Sequence, residues 1–391
     1  MLKLSNYASI EGIVILTNHL SVIYTSCSSS APKYELATLN LVLCIIYLLC
    51  FCASRNNKTT RSIYFTPILL FAISVIISSI ELTPEFYNTN FIGLFSYSLF
   101  GVSTYFINYI YLHRNRLDEE LIKNYAYASI FLGAITAYYF YTRTVKVLDL
   151  KSEDGQNFFY HFLIPMPLLF CFLNDKKKLI IYIIVFFGVL LSFKRSAFIV
   201  IILVGGFLIR NLLHRKNHEL KNKRRLLLLA IIAFVMTFYF LGFEKLDVIL
   251  GRFEDIEEDK GSGRLNISEL FFDYLPNYEV YEYFFGHGYG GFARKFVEYN
   301  SAHNDFIEVF FAHGILGLLS ILTIITRTIK NTIKYKTTMT FVPLVTLSVF
   351  FVVFGMVSSL FHYYEYSLPL FIMLAYIDYL ILTQKINEQR I

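Results

Sequence analysis

The sequence predicts an all-α fold, a polytopic transmembrane helical bundle of about 12 helices with one larger external loop that contains short helices. Three observations predict it. Hydrophobic residues make up 56% of the 391 residues and charged ones only 16%, with mean hydropathy +0.53. The apolar residues fall in long runs, and the lysines and arginines collect in alternate connections. An average soluble domain carries about 25% charged residues, so a soluble enzyme of two or three domains is excluded. Disorder is excluded too, because this much apolar surface does not stay solvated. The five cysteines (Cys27, Cys44, Cys50, Cys52 and Cys171) have no metal-ligand or redox spacing and read as small buried hydrophobes.

A helix crosses the bilayer in roughly 17–25 apolar residues. The first nine such runs fall near 8–26, 36–53, 62–80, 91–112, 122–142, 158–173, 179–193, 196–213 and 226–243. Three more follow near 304–326, 340–360 and 366–383. Pro165 and Pro167 are expected to kink the sixth. Glu11, Asn18 and His19 interrupt the first, so a cleavable signal peptide is not expected. The chain thus divides into helices one to nine (1–243), an external loop (244–303) and helices ten to twelve (304–391). Loops after even-numbered helices, together with both termini, hold 23 of the 35 lysines and arginines. That face is cytoplasmic by the positive-inside bias. The net charge of +6 is therefore a topology signal, and no nucleic-acid partner is expected.

The long loop opposes that trend, with twelve acidic against six basic residues. Its acidic run 254–259 reads as a solvated stretch, since its spacing does not match a calcium-binding EF-hand loop. Beyond it, Ile267, Leu270, Phe271, Tyr274 and Leu275 mark one apolar face of a short helix, capped by Ser262 and stopped by Pro276. Its N-terminus beside Arg264 is either an anion site or an ordinary capped surface helix with a solvated arginine. Lys194 and Arg195 stand in a tight external turn, where basic residues are disfavoured. They either snorkel to lipid headgroups or aim a fixed guanidinium at an anion. His303 and Asn304 open helix ten on the same face, followed by Gly314 and Gly317. At about 100° per residue the two glycines fall near His303 on one stripe, where a neighbouring helix can approach closely. His303 is either an interfacial residue or a group that takes a proton or pairs with phosphate. Gly286-His287-Gly288-Tyr289-Gly290-Gly291 is no nucleotide loop, lacking a strand–helix unit, and reads as flexible, tightly turning backbone near a ligand. Arg195, Arg264 and His303 all favour an anion at one external rim, such as the diphosphate of a lipid in the outer leaflet.

His303-Asn304, nine residues, then Gly314-Ile315-Leu316-Gly317 resembles the H-N-x9-G-x-x-G signature of the O-antigen ligase and O-antigen polymerase (Wzy-type) superfamily. Ser262-Gly263-Arg264 through Gly286-His287-Gly288 is similar to the rest of that region, and Ser192 to Ala197 to its upstream arginine motif. Lys194 and Phe193 are not the commonest neighbours there. The resemblance covers about residues 190–320.

It implies a metal-independent, cofactor-free glycosyltransferase of the bacterial inner membrane, with both termini cytoplasmic and its active site facing the periplasm. The implied partners are undecaprenyl-diphosphate-linked oligosaccharide donor and acceptor, membrane lipid, and a chain-length regulator protein as a further candidate. Arg195 and Arg264 would hold the donor diphosphate and His303 would serve the reaction centre. Lys194, Ser262, Asn304, His287, Tyr289 and Tyr363 are candidates for binding diphosphate or glycan. Tyr363 lies in an aromatic turn between helices eleven and twelve that equally fits an interfacial tyrosine belt. A polymerase is the expected activity, a ligase acting on the lipid A core the alternative, and a lipid-linked-glycan transporter the third reading.

Overall fold

The computed structural model describes residues 10–27, 33–53, 62–79, 91–114, 119–147, 160–192, 194–214, 264–296, 299, 301–338, 340–357, 361 and 364–382. Among these residues the chain is helical and has no β-strand. The first half holds α1 (Ile10–Cys27), α2 (Lys33–Ala53), α3 (Phe65–Ser78), α4 (Phe91–Ser98), α5 (Phe100–Arg114) and α6 (Glu120–Val147). It continues with α7 (Tyr160–Leu163), α8 (Met166–Phe172), α9 (Asp175–Ser192) and α10 (Arg195–His214). The second half holds α11 (Arg264–Tyr274), α12 (Val280–Phe285), α13 (Gly291–Lys295), α14 (Asp305–Lys334), α15 (Phe341–Val357) and α16 (Tyr364–Leu382). The ninth expected run, 226–243, and loop residues 244–263 lie outside the described residues.

Two expected runs are broken. The sixth divides into α7 and α8 at Pro165, which has no N–H to give the helix ladder. The fourth divides at Leu99, whose N–H is shared between the carbonyls of Phe95 and Ser96 at 3.2 Å each, a tightened turn. Among the described residues one helix, Asp305–Lys334, is long and apolar enough to cross a membrane. Six shorter apolar helices accompany it among those residues, which do not by themselves give the expected count of about 12.

Many large apolar side chains face outward, and polar groups lie buried within a largely apolar core. Leu39, Val42, Ile46 and Leu49 of α2 are exposed, as are Leu69, Ile73 and Ile76 of α3 and Ile199, Ile202 and Leu203 of α10. Inside, Asn18 Nδ2 donates to Asn40 Oδ1 at 2.8 Å, and Asn108 Nδ2 donates to Asn18 Oδ1 at 3.0 Å. His19 Nε2 lies 2.8 Å from Asn108 Oδ1. These bonds offset the desolvation that each buried amide would otherwise suffer.

Contacts between side chains fix which ends meet. Tyr64, at the start of α3, reaches Thr328 near the end of α14 at 3.1 Å, and Ser78 at the other end of α3 reaches His313. α3 and α14 are therefore antiparallel. Phe207 of α10 meets Phe341, while Tyr160 beside the start of α10 meets Phe354. α10 and α15 are antiparallel as well. Thr332 to Ser348 at 2.9 Å and Phe306 against Gly355 set α14 antiparallel to α15. α10 and α14 thus begin at the same end of the bundle. The opposite end is closed by the buried Asp378 carboxylate, which accepts from Ser62 Oγ (2.5 Å), Ile63 N (2.8 Å), Tyr64 N (3.2 Å) and Tyr105 Oη (2.5 Å). Arg327 Nη1 donates to the Ile63 carbonyl beside it.

Candidate functional site

The first turn of α14 organises the site. Asn304 is its N-cap: the side-chain oxygen accepts from Phe306 N at 3.0 Å and Ile307 N at 3.3 Å, two of the donors that a helix start leaves unsatisfied. His303 precedes the cap and is exposed. Its φ of +50° is the single positive value of a non-glycine among the described residues. That conformation costs an L-residue about 1–2 kcal/mol, so neighbouring groups must hold it. Ser301 Oγ accepts from His303 N at 3.3 Å and lies 3.3 Å from Nδ1. Glu308, 1% exposed, accepts from Ala302 N at 2.7 Å. The equally buried Asp305 accepts from Phe361 N at 2.9 Å, which ties the turn before α16 to the same helix start.

Residues 264–296 fold back on α14 as an arm with an aromatic core of its own. Ile267, Phe271, Tyr278 and Phe292 pack with Ile307 and Phe311. α11 runs from Arg264 to Tyr274, and Pro276 lies in the 3-10 turn Leu275–Asn277 that ends it, as the spacing of the apolar residues predicts. The arm locks to α14 where that helix is broken. Gly314, at φ +60° and ψ −163°, interrupts the ladder and frees carbonyls upstream. The His287 N–H donates to Phe311 O and the Gly288 N–H to Ala312 O, both at 2.8 Å. Such approach needs glycine on both sides. A Cβ on Gly286 would lie 2.5 Å from Ala312 C and 2.6 Å from His313 N. One on Gly314 would overlap the backbone of Phe284 and Phe285.

Two expectations change here. The stripe of His303, Gly314 and Gly317 on a regular helix does not exist, because α14 kinks at Gly314 and His303 precedes the helix. Gly317 does face a neighbouring helix, at Ser74 of α3, whereas Gly314 admits the arm. The Gly286–Gly291 segment turns tightly but is not loose. Arg294 Nη1 donates to Tyr289 O at 2.8 Å and Nη2 to His287 O at 2.5 Å, in addition to the two bonds to α14.

His287 sits in this lock, 3.4 Å from Glu282 and edge-on to Tyr278 with ring centroids 5.0 Å apart. Burial holds its imidazole below the usual histidine range, while the Glu282 carboxylate works the other way. Burial also lowers the Arg294 guanidinium and raises the Tyr278 hydroxyl. Tyr289 packs edge-on to Tyr97 with ring centroids 5.6 Å apart, which joins the arm to α4.

The remaining expected site residues start helices at this same end. Lys194 caps α10 with its carbonyl, which accepts from Phe198 N at 3.0 Å, and Arg195 is the first residue of that helix. The next residue, Ser196, lies 2.8 Å from Tyr160 Oη, and Tyr160 meets Phe354 one residue before Gly355, against which Phe306 packs. A short chain of contacts therefore links the starts of α10 and α14. Arg264 is the first residue of α11, one turn before Ile267, which shares a cluster with Ile307. Ser262 and Tyr363 lie outside the described residues.

Residues 180–322 match the family model described as O-Antigen ligase. That match, over a little more than a third of the chain, supports a place in the O-antigen polymerase and ligase superfamily. No curated protein matches the chain. The matched family indicates a polymerase- or ligase-type function in glycan processing and suggests a membrane location, in keeping with the exposed apolar side chains. The match does not extend to a chain-length regulator. The matched residues run from α9 through α10 and the arm to the middle of α14, and include the turn that carries His303.

Sequence reasoning missed Ser301, Asp305, Glu308, Arg294 and His313. Glu308 and His313 carried a readable signal, as ionisable residues inside the apolar run Phe306–Phe311 and its continuation. Arg294 carried none, because the carbonyls that it binds are brought to it by the turn.

Proposed function

We propose that the chain is an O-antigen polymerase, transferring a growing glycan from undecaprenyl diphosphate to a hydroxyl of another lipid-linked repeat unit at the periplasmic face of the inner membrane. The observation that carries this reading is His303. It is exposed and held at positive φ by buried partners, at the end of the bundle where the helices headed by Arg195 and Arg264 also begin. Strain of this kind is kept where surroundings over-determine it, commonly at reaction centres.

The chemistry is a displacement at the anomeric carbon of the donor sugar. The acceptor oxygen forms the new glycosidic bond, the bond to the diphosphate breaks, and the acceptor proton leaves to a base. Negative charge grows on the departing diphosphate. Two arginines at helix N-termini suit that charge, because charge-assisted hydrogen bonds contribute about 1.5–3 kcal/mol each and the helix ends are positive. His303 either takes the hydroxyl proton or, protonated, pairs with phosphate. Lys194, Ser262, His287, Tyr289 and Tyr363 are retained as candidate contacts to diphosphate or glycan. His287 and Tyr289 do so from within the arm.

A second reading, suggested by the words of the family description, is a ligase that passes the glycan to the lipid A core. The banding of surface polysaccharide from a deletion strain separates the two. Loss of a polymerase leaves single-repeat capped lipopolysaccharide, and loss of a ligase abolishes capping. Complementation with Arg264→Ala or His303→Ala at wild-type abundance is expected to fail. A normal ladder from either variant removes that residue from the reaction.

A further inference from the structure

Glu308 is a carboxylate with 1% exposure on an apolar helix, a placement that needs a reason. Its partner supplies one. In an ordinary capping box, a side chain in the first turn reaches back to the N–H of the cap residue itself. Here the cap is Asn304, and Glu308 reaches past it to Ala302 N, at 2.7 Å. The bond closes a ring of chain around His303. On one side Ala302 is pinned by Glu308, and on the other Asn304 is pinned by its own bonds to Phe306 N and Ile307 N. Between these fixed points His303 takes φ +50°, and its exposed side chain leaves a loop whose neighbours Ser301 and Ala302 are each 1% exposed.

We propose that Glu308 is a positioning residue for His303: its buried carboxylate, by holding the Ala302 amide, fixes the left-handed turn from which the imidazole meets substrate. The inference rests on the reading of His303 given above. Glu308 touches no reacting atom. It acts by removing the alternatives open to the 301–303 turn, and a displacement of about 1 Å at a reacting group costs on the order of 100-fold in rate.

The test measures kcat and KM of the purified full chain in nanodiscs with an undecaprenyl-diphosphate-linked oligosaccharide. Glu308→Gln keeps an acceptor oxygen for Ala302 and is expected to stay within a few-fold of wild type. Glu308→Ala is expected to lose about 100-fold in kcat with little change in KM. In a His303→Ala background, Glu308→Ala is expected to cause no further loss, since its effect passes through the missing imidazole. Multiplying losses in the double variant, a Gln variant as slow as the Ala variant, or an Ala variant as fast as wild type would each overturn the proposal. Should Glu308→Ala not accumulate, Glu308→Asp, whose carboxylate is withdrawn by one methylene, takes its place with the same expectations. Wild-type turnover by His303→Ala would overturn the underlying reading instead.

Discussion

Replacing Gly286 by alanine isolates the contact that docks the arm on α14. Gly286 has φ +69° and ψ −166°, a region open essentially to glycine alone. A methyl group there would stand 2.5 Å from Ala312 C and 2.6 Å from both His313 N and Phe311 O. All three are backbone atoms of a packed helix and cannot turn aside as a side chain would. Relief requires residues 286–288 to withdraw, which breaks the bonds from His287 N to Phe311 O and from Gly288 N to Ala312 O. Backbone strain of about 2 kcal/mol and two hydrogen bonds of about 1 kcal/mol each sum to about 4 kcal/mol. At about 1.4 kcal/mol per factor of ten, the equilibrium constant for docking the arm falls roughly a thousandfold.

Hydrogen exchange at the His287 and Gly288 amides reads this directly, and glycan transfer should fall with it. Gly290→Ala is the matched control. It has the same φ of +69°, but its ψ is 9° and nothing lies within 4 Å of the added Cβ. It should lose only the left-handed strain, about 1–2 kcal/mol. Equal protection in the two variants, or wild-type protection in Gly286→Ala, would refute the lock.

Two further expectations concern the same end of the bundle. Asn304→Ser keeps a capping oxygen and should retain stability and activity, whereas Asn304→Ala should lose about 1 kcal/mol. Full stability with lost transfer in the serine variant would instead assign the Asn304 amide to substrate. His287 is held below its ordinary pKa by burial, against the opposing effect of Glu282 and with Lys295 and Arg294 adding to the lowering. The fold therefore favours the neutral ring, and this stability is complete above the unfolded value of about 6.5. It is lost as pH falls from there through the folded pKa. The protection factor of the Gly288 amide should fall over that interval, and this loss of protection should vanish in His287→Gln. An identical profile in that variant would exonerate the imidazole.

Much of the architecture was legible because it is periodic or compositional. The all-helical character, the kink at Pro165 and the apolar face of Ile267 and Phe271 all follow from composition and local spacing. His303-Asn304 and the two glycines were legible as a pattern, though the pattern misled about geometry. Eleven residues bring Gly314 beneath His303 only on an unbroken helix, and α14 breaks at Gly314 itself.

By itself, then, the sequence determined a helical bundle rich in apolar residues and offered residue types that suit the anionic, lipid-borne substrate proposed above. Tertiary structure alone decided which of them meet. Gly286 lies against the backbone of Phe311, Ala312 and His313, and Gly314 against that of Phe284 and Phe285, and neither position states its partner. Glu308 stands in an apolar run like a misplaced charge until Ala302 is folded against it. Burial makes such contacts specific: a backbone N–H shut away from water needs one particular acceptor, and only the assembled fold brings that acceptor to it.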